Sequence, residues 1–350
     1  MIRNHREFDN HEFVIALTDK PTNLKAFIAI HDRNLGFAHG GTRMKVYDDE
    51  DQALSDVLDL SKAMSYKSAL AGLPYGGGKG VIMLPVDVTE QQRAAILTAY
   101  AQKIETLQGL FHTGSDVGVT DEDTKLMAKS CQYILGVSDV ALQSYTTGKM
   151  AALGVYYAIK AAAVFKYGSD DLKGKTVSVK GLGKLGGELV ELLHKDGAIL
   201  YVADLDAAKA QAIHDKYPVV TPVDTYELHK QKVDIYAPCA LGHDLTSGLI
   251  SELSCDIVCG GANNQLESKE AADELVVKNI LYIPDYVANA GGLIFVSDEL
   301  EFDGFHIERV MQRTIGIGDT LQTIFERSMQ ENVPVYQIAD TIARERIGRE

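Results

Sequence analysis

The chain has 350 residues, 46% hydrophobic and 24% charged, which is the composition of a folded protein and too much chain for one ordinary core. Its 34 Lys+Arg against 49 Asp+Glu give a formal charge of −15, a surface that repels phosphate backbones and argues against a nucleic-acid partner. No apolar run approaches the roughly 18 residues that span a bilayer, and Met1–Asn10 carries no apolar signal core, so a cytoplasmic protein without a membrane partner is expected.

Residues 26–30 (Ala-Phe-Ile-Ala-Ile) form a compact apolar run bounded by polar residues, the pattern of a buried strand. From Asp51, Ala53, Val57, Leu60 and Met64 recur at spacings of three and four, with Leu54 and Leu58 widening the stripe, which predicts a helix with one apolar face. Lys67 follows just past it. Gly76-Gly77-Gly78-Lys79-Gly80 reads as a loop that puts a lysine amid unshielded backbone, leading into a strand over 80–84 that Pro85 stops. Thr89 with Gln92 predicts a capping box opening a helix towards Leu107. His112-Thr113-Gly114-Ser115-Asp116-Val117-Gly118 places an aspartate in a small-residue loop, where a turn-forming role is the bland alternative.

From about residue 150 the rhythm alternates. A helix is expected over 151–165, then strands at 176–179, 198–203, 234–237, 256–258 and 280–283 with helical patterns between most of them, which argues for a parallel sheet. The tail from about His306 is mainly helical, weakened at Gly316 and Gly318. Cys131, Cys239, Cys255 and Cys259 form no CxxC or zinc spacing, so neither a disulfide nor a metal is expected.

Gly181-Leu182-Gly183-Lys184-Leu185-Gly186 follows the first of these strands and opens a helix. In such a GxGxxG the first glycine makes the turn, the second lets a pyrophosphate approach, and the third packs helix on strand. The hexapeptide alone is a weak signal. Asp204, at the end of the next strand, strengthens it, because an acid there accepts hydrogen bonds from ribose hydroxyls and repels a 2′-phosphate, favouring NAD.

Gly40-Gly41-Thr42-Arg43-Met44, Tyr66-Lys67, Gly76-Gly77-Gly78-Lys79 and Asp116-Val117-Gly118 resemble the amino acid dehydrogenases of the glutamate/leucine/phenylalanine/valine group. So do residues 237–242 (APCALG), 261–266 (GANNQL) and the stretch from Pro284 to Gly292, in an order that matches the leucine dehydrogenase branch over nearly the whole chain. The resemblance implies an α/β protein of two domains with the active site in the cleft between them. Residues 1–140 would form the substrate-binding, catalytic and oligomerisation domain, with a C-terminal helix over about 325–350 packing back on it; residues 141–324 would form the Rossmann domain. The implied reaction is reversible, NAD-dependent oxidative deamination of a nonpolar L-amino acid to the 2-oxo acid and ammonia, by a homo-oligomer that is an octamer in the leucine branch.

The resemblance also implies roles. Lys67 would bind the substrate carboxylate, with Gly41 and Gly77 beside it. Lys79 would activate water against the imine, which requires burial or a nearby cation to lower its pKa; Lys67 is the cation that suggests itself. Asp116 would shuttle protons at the amino nitrogen. Cys239, Ala240, Asn263 and Asn289 would join Gly181–Gly186 and Asp204 around the cofactor. The substrate side chain would meet His39, Gly114, Leu293 and Val296. Glutamate-specific relatives carry a lysine before the paired glycines and a serine at the Val296 position, so glutamate is disfavoured here.

Several positions depart from the pattern. His39 stands where leucine dehydrogenases have leucine, while Gly114 and Leu293 are the choices of the phenylalanine branch, leaving the side chain open between branched aliphatic and aromatic. The segment from Thr146 replaces a Pro-x-Thr element, His243 replaces a glycine, and Phe295 replaces an asparagine close to the expected pocket. The competing readings are a dehydrogenase of another 2-substituted acid that needs no ammonia, and an NAD(H)-binding regulatory protein.

Overall fold

The computed structural model describes residues 2–137 and 145–349, and the domain boundary expected at residues 140–141 lies outside them. The chain divides into two compact units, Met1–Ala141 with Ala343–Glu350, and Leu142–Ile342. Of the C-terminal stretch expected to join the first domain, only residues from Ala343 do so.

The first unit is built on a mixed sheet of β1 (Phe13–Asp19), β2 (Leu24–Asp32), β3 (Ala38–His39), β4 (Thr42–Lys45), β5 (Gly76–Met83) and β6 (Phe111–His112). The strand order is β1-β2-β5-β3-β6, with β4 also pairing β5. β1, β2 and β5 run antiparallel in turn, while β3 and β4 lie parallel to β5. Helix α1 (Glu50–Leu70) covers one face: Val57 and Leu58 pack with Val81 of β5 and Ala29 of β2. Helix α2 (Glu90–Glu105) covers the other, where Ile96, Leu97, Tyr100 and Ile104 join Ile28, Ile82 and Phe111. A short α3 (Asp121–Ala128) follows. The capping box of α2 forms as expected, the Thr89 hydroxyl accepting from the Gln92 N–H and the Gln92 side chain accepting from the Thr89 N–H.

Two sequence expectations are corrected in this unit. Lys67 lies inside the last turn of α1, and the triple glycine is strand, not loop. The glycines are there because the strand has no room for side chains. A Cβ on Gly77 would overlap the backbone N of Ser65 on α1, one on Gly76 the carbonyl oxygen of Asp32, and one on Gly80 the hydroxyl of Tyr100. Backbone packing from both sides therefore outweighs the poor strand propensity of glycine.

The unit is closed by its last residues. Arg349 donates to the carbonyl oxygens of Asp9 and His31 (2.7 and 2.6 Å) and pairs with Asp32 at 2.7 Å, and the Asn34 side chain donates to the carbonyl of Ile347.

The second unit holds a parallel sheet of β7 (Thr176–Lys180), β8 (Ile199–Ala203), β9 (Thr221–Pro222), β10 (Ile235–Pro238), β11 (Ile257–Val258) and β12 (Leu281–Tyr282). Its order is β12-β11-β10-β7-β8-β9, two βαβαβ halves diverging from β7. The sequence reading missed β9, which is too short to show a period. The helices are α4 (Thr147–Tyr167), α5 (Gly186–Lys195), α6 (Ala207–Lys216), α7 (Ser247–Glu252), α8 (Lys269–Val277), α9 (Asp285–Ala288), α10 (Gly291–Ser297), α11 (Ile307–Ile315), α12 (Ile317–Glu331) and α13 (Val335–Arg346), the last crossing into the first unit. α11 and α12 meet at Gly316, one of the two glycines expected to weaken the tail. No helix among the described residues is long and apolar enough to cross a membrane.

Candidate active site

Strand alternation sets the candidate residues of the first unit. Gly77 faces Ser65 of α1 and Val81 packs with α1, so Lys79, between them in the period of two, faces the same side. Gly78 and Gly80 point the other way, towards Phe111 and Tyr100. His39 and Arg43 pair in register with Gly77 and Val81, and so belong to the Lys79 face. The end of α1 adds Lys67, buried to 9% exposure. Asp116 follows β6, and Gly41 makes room for it: a Cβ there would lie 2.8 Å from the Ser115 carbonyl and 3.0 Å from the Asp116 Cβ.

These placements create a buried charge cluster. Lys79 Nζ lies 3.0 Å from Asp116 Oδ2, and Arg43 Nε donates to the same oxygen at 3.1 Å. Arg43 Nη1 also donates to both oxygens of Asp56 on α1, at 2.9 and 3.2 Å, and the Tyr47 hydroxyl donates to Asp56 Oδ2 at 2.6 Å. Burial pulls the Lys79 pKa below its ordinary value, aided by the Arg43 charge and opposed by Asp116. Burial alone would raise Asp116, but Lys79 and Arg43 hold its carboxyl well below the usual range. Arg43 is thus a cation acting on Lys79 that the sequence had not suggested. Arg43 was missed as a site residue because its partners stand 13 and 73 positions away and meet it only through the sheet register.

His39 is buried, and that burial, with His112 and Lys79 adding to it, pushes its pKa down to about 3, so the imidazole is neutral near pH 7. Its ring meets Tyr75 edge-on at 6.1 Å, and its strand neighbour His112 lies against Phe37 at 3.9 Å and edge-on to Tyr133 at 5.1 Å. Gly114, two residues beyond His112, has the Leu135 carbonyl 3.0 Å from where its Cβ would lie.

The Rossmann-ordered unit carries its own set of candidate residues. Gly181 has φ +96° and its Cβ would strike Ala240 and Cys239; a Cβ on Gly186 would overlap the Gly181 carbonyl. Gly183 is different, with nothing within 4 Å of its Cβ position, which leaves open backbone where a pyrophosphate would approach. Leu182 and the Lys184-Leu185 turn complete the loop ahead of α5. Asp204 ends the adjacent strand, its Oδ2 accepting from the Leu182 N–H at 2.7 Å and its Oδ1 from the Asp206 N–H at 2.9 Å. Cys239 is a free thiol that burial pushes up to about 12, so it serves as neutral packing, not as a nucleophile. Asn289 donates to Asn263 Oδ1 at 2.8 Å and to the Gly261 carbonyl at 3.1 Å, while its own Oδ1 is buried without a partner among the described residues. That orphaned acceptor, the open Gly183 and the Asp204 carboxylate fit the amide, diphosphate and ribose of a nicotinamide dinucleotide.

Leu293 and Val296 sit three apart on α10 and so share a face. Phe295 turns to Phe305, edge-on at 5.3 Å, which makes this departure a packing choice. His243 adopts φ +58°, the left-handed region where a glycine costs nothing, and is held by its ring to the Leu266 carbonyl at 3.0 Å. Thr146 caps α4 by accepting from the Lys149 N–H.

A Rossmann-ordered sheet with an open glycine turn in one unit, and a buried lysine–aspartate pair in the other, are the marks of a nicotinamide-dependent oxidoreductase. Residues 10–137 match the Glu/Leu/Phe/Val dehydrogenase dimerisation domain and residues 201–347 match the glutamate/leucine/phenylalanine/valine dehydrogenase domain. The chain belongs to this family of amino acid dehydrogenases. It is 38% identical over 340 residues to leucine dehydrogenase of Bacillus subtilis, spanning 97% of this chain and 92% of that protein. It is 40% identical over the same length and shares to phenylalanine dehydrogenase of Thermoactinomyces intermedius. Among solved structures, L-tryptophan dehydrogenase from Nostoc punctiforme superposes with a TM-score of 0.81 at 38% identity, covering 97% of this chain and 96% of that one.

Proposed function

We propose that the protein catalyses the reversible oxidative deamination of a nonpolar L-amino acid to its 2-oxo acid and ammonia, with NAD as the cofactor. The observation that carries this reading is the buried Lys79–Asp116 pair at 3.0 Å, a lysine with a lowered pKa beside a carboxylate kept ionised. Lys67 holds the substrate carboxylate and fixes the orientation of Cα. Asp116 accepts a proton from the substrate nitrogen. Bound NAD supplies the hydride acceptor. Lys79 in its free-base form then takes a proton from water as the water adds to the iminium carbon, passes it to the nitrogen so that ammonia leaves, and accepts the hydroxyl proton as the carbonyl forms. Asp204, with no Arg after it, supports NAD over NADP.

His39 and Val296 offer no cation for a distal carboxylate, which supports a nonpolar substrate. An aromatic side chain is the second reading, favoured by the Tyr75 ring against His39 and by Phe37, His112 and Tyr133, which extend that ring cluster. The match of residues 10–137 to a dimerisation domain supports assembly into a homo-oligomer through the first unit.

The test is NADH formation from L-leucine, L-valine, L-phenylalanine, L-tryptophan and L-glutamate, with Lys79→Ala as control. Turnover of a nonpolar amino acid, absent in Lys79→Ala while NADH binding persists, is expected. Turnover that survives in Lys79→Ala removes the lysine from the mechanism. Reverse turnover of a 2-oxo acid without ammonium would point to a different dehydrogenase.

A further inference from the structure

We propose that Arg43 is a positioning residue for the acid–base pair, its guanidinium bridging Asp116 and Asp56 so that the Asp116 carboxylate is fixed against Lys79. The proposal rests on the reading of Lys79 and Asp116 as the reacting groups. Both cations bind one oxygen of Asp116, Oδ2, at 3.0 and 3.1 Å. Oδ1 is then the atom presented to the substrate nitrogen. Arg43 itself is held from behind, because its Nη1 donates to both oxygens of Asp56, and Asp56 is fixed on α1 and by the Tyr47 hydroxyl. The side chains of Lys79, Arg43, Asp116 and Asp56 are 6, 14, 14 and 15% exposed, so the four form a largely desolvated, charge-balanced set, with the more open Lys45 at 3.8 Å from Asp56. Buried ion pairs of this kind add little net stability, and what they supply is fixed geometry and field.

The charges predict opposite effects for two substitutions. Lys79 faces Asp116, Arg43, Asp56 and His39; Asp116 faces Lys79 and Arg43. Arg43 disfavours the charged form of Lys79 and favours that of Asp116, whereas Asp56 favours protonated Lys79. Amino acid oxidation needs Lys79 free of its extra proton and Asp116 ionised. Removing the Arg43 charge therefore moves the acid limb of the rate profile to higher pH, and removing the Asp56 charge moves it to lower pH.

The experiment is the pH profile of kcat/KM for amino acid oxidation in wild type, R43Q, R43K and D56N, with NADH binding followed by fluorescence. R43Q should lose about tenfold or more in kcat/KM, since slight misplacement of reacting groups is costly. Its acid limb should rise by about one pH unit, the usual effect of one adjacent charge. R43K should recover part of the limb position, D56N should shift the limb downward, and NADH affinity should stay at the wild-type value in all three. A wild-type limb in R43Q and D56N, whatever the loss of rate, would reduce Arg43 to a tie between β4 and α1 and overturn the proposal. If R43Q does not fold, D56N decides, because a purely structural Asp56 leaves the limb in place. A wild-type protein that turns over no amino acid, or an active Lys79→Ala, would instead defeat the reading on which the proposal stands.

Discussion

Asp204 is oriented by the bonds it already makes. The N–H groups of Leu182 and Asp206 take one lone pair of each oxygen and keep the carboxyl ionised against the burial that would raise it, and Lys209 stands 3.4 Å away. The remaining lone pairs suit two ribose hydroxyls, and the charge disfavours a 2′-phosphate. In Asp204→Ala that repulsion goes while Lys209 stays, so the ratio of kcat/KM for NADP over NAD should rise by about tenfold or more, equivalent to about 1.4 kcal/mol. Steady-state rates with the two cofactors measure this, and an unchanged ratio would show that Asp204 does not choose between them. Asp204 was singled out in the sequence by its spacing from the glycine turn, and Lys79 and Asp116 by the resemblance of their motifs to a family. Arg43 was not, for it lies in a motif but acts through Asp56 and Asp116, which reach it only when β4, α1 and the segment after β6 are assembled.

At the scale of elements, glycine has two different uses. In β5 it admits neighbouring backbone: Gly77 has no room for a Cβ because α1 passes over it. In the turn before α5 it leaves backbone open, with nothing within 4 Å of the Cβ position at Gly183, where the proposed cofactor would approach. Gly77→Ala should therefore push α1 off the strand, costing about 1–3 kcal/mol and lowering Tm. Gly183→Ala should keep the wild-type Tm and lose affinity for NADH. Thermal unfolding beside NADH fluorescence separates the two, and a Gly183→Ala protein that binds NADH normally would deny the turn its assigned role. The same contrast explains what the sequence could yield. The helix of α1 was legible from its period and the parallel strands of the second unit, β9 excepted, from short runs alternating with helical stretches, whereas a glycine run carries no hydrophobic pattern, and its strand state comes from packing that local propensity does not encode. Lys67 was placed beyond α1 because the apolar stripe ends before the helix does.

Across the whole molecule, the first unit carries a load of neutral histidines. His11, His31 and His39 are all buried, and desolvation lowers each pKa, to about 4 for His11 and about 3 for His39. Unfolded, each would take up a proton near its ordinary 6.5. Below that pH the unfolded chain binds more protons than the native one, so stability is full above about 6.5 and falls as pH drops towards the native values. Each such group contributes about 1.4 kcal/mol per pH unit over that window. Tm should be flat above neutrality and decline steadily from pH 6.5 to 4.5, with a shallower decline in His39→Gln; a Tm constant over that interval would contradict the neutral state of these rings. The two-unit division has a further consequence, for synthesis. Arg349 clasps Asp9, His31 and Asp32, yet it leaves the ribosome only after all of the second unit has been made. Domains ordinarily fold in order of emergence. Here the portion of the chain begun first is the one completed last, because the bonds from Arg349 to Asp9, His31 and Asp32 can form only after the whole Rossmann unit has been synthesised.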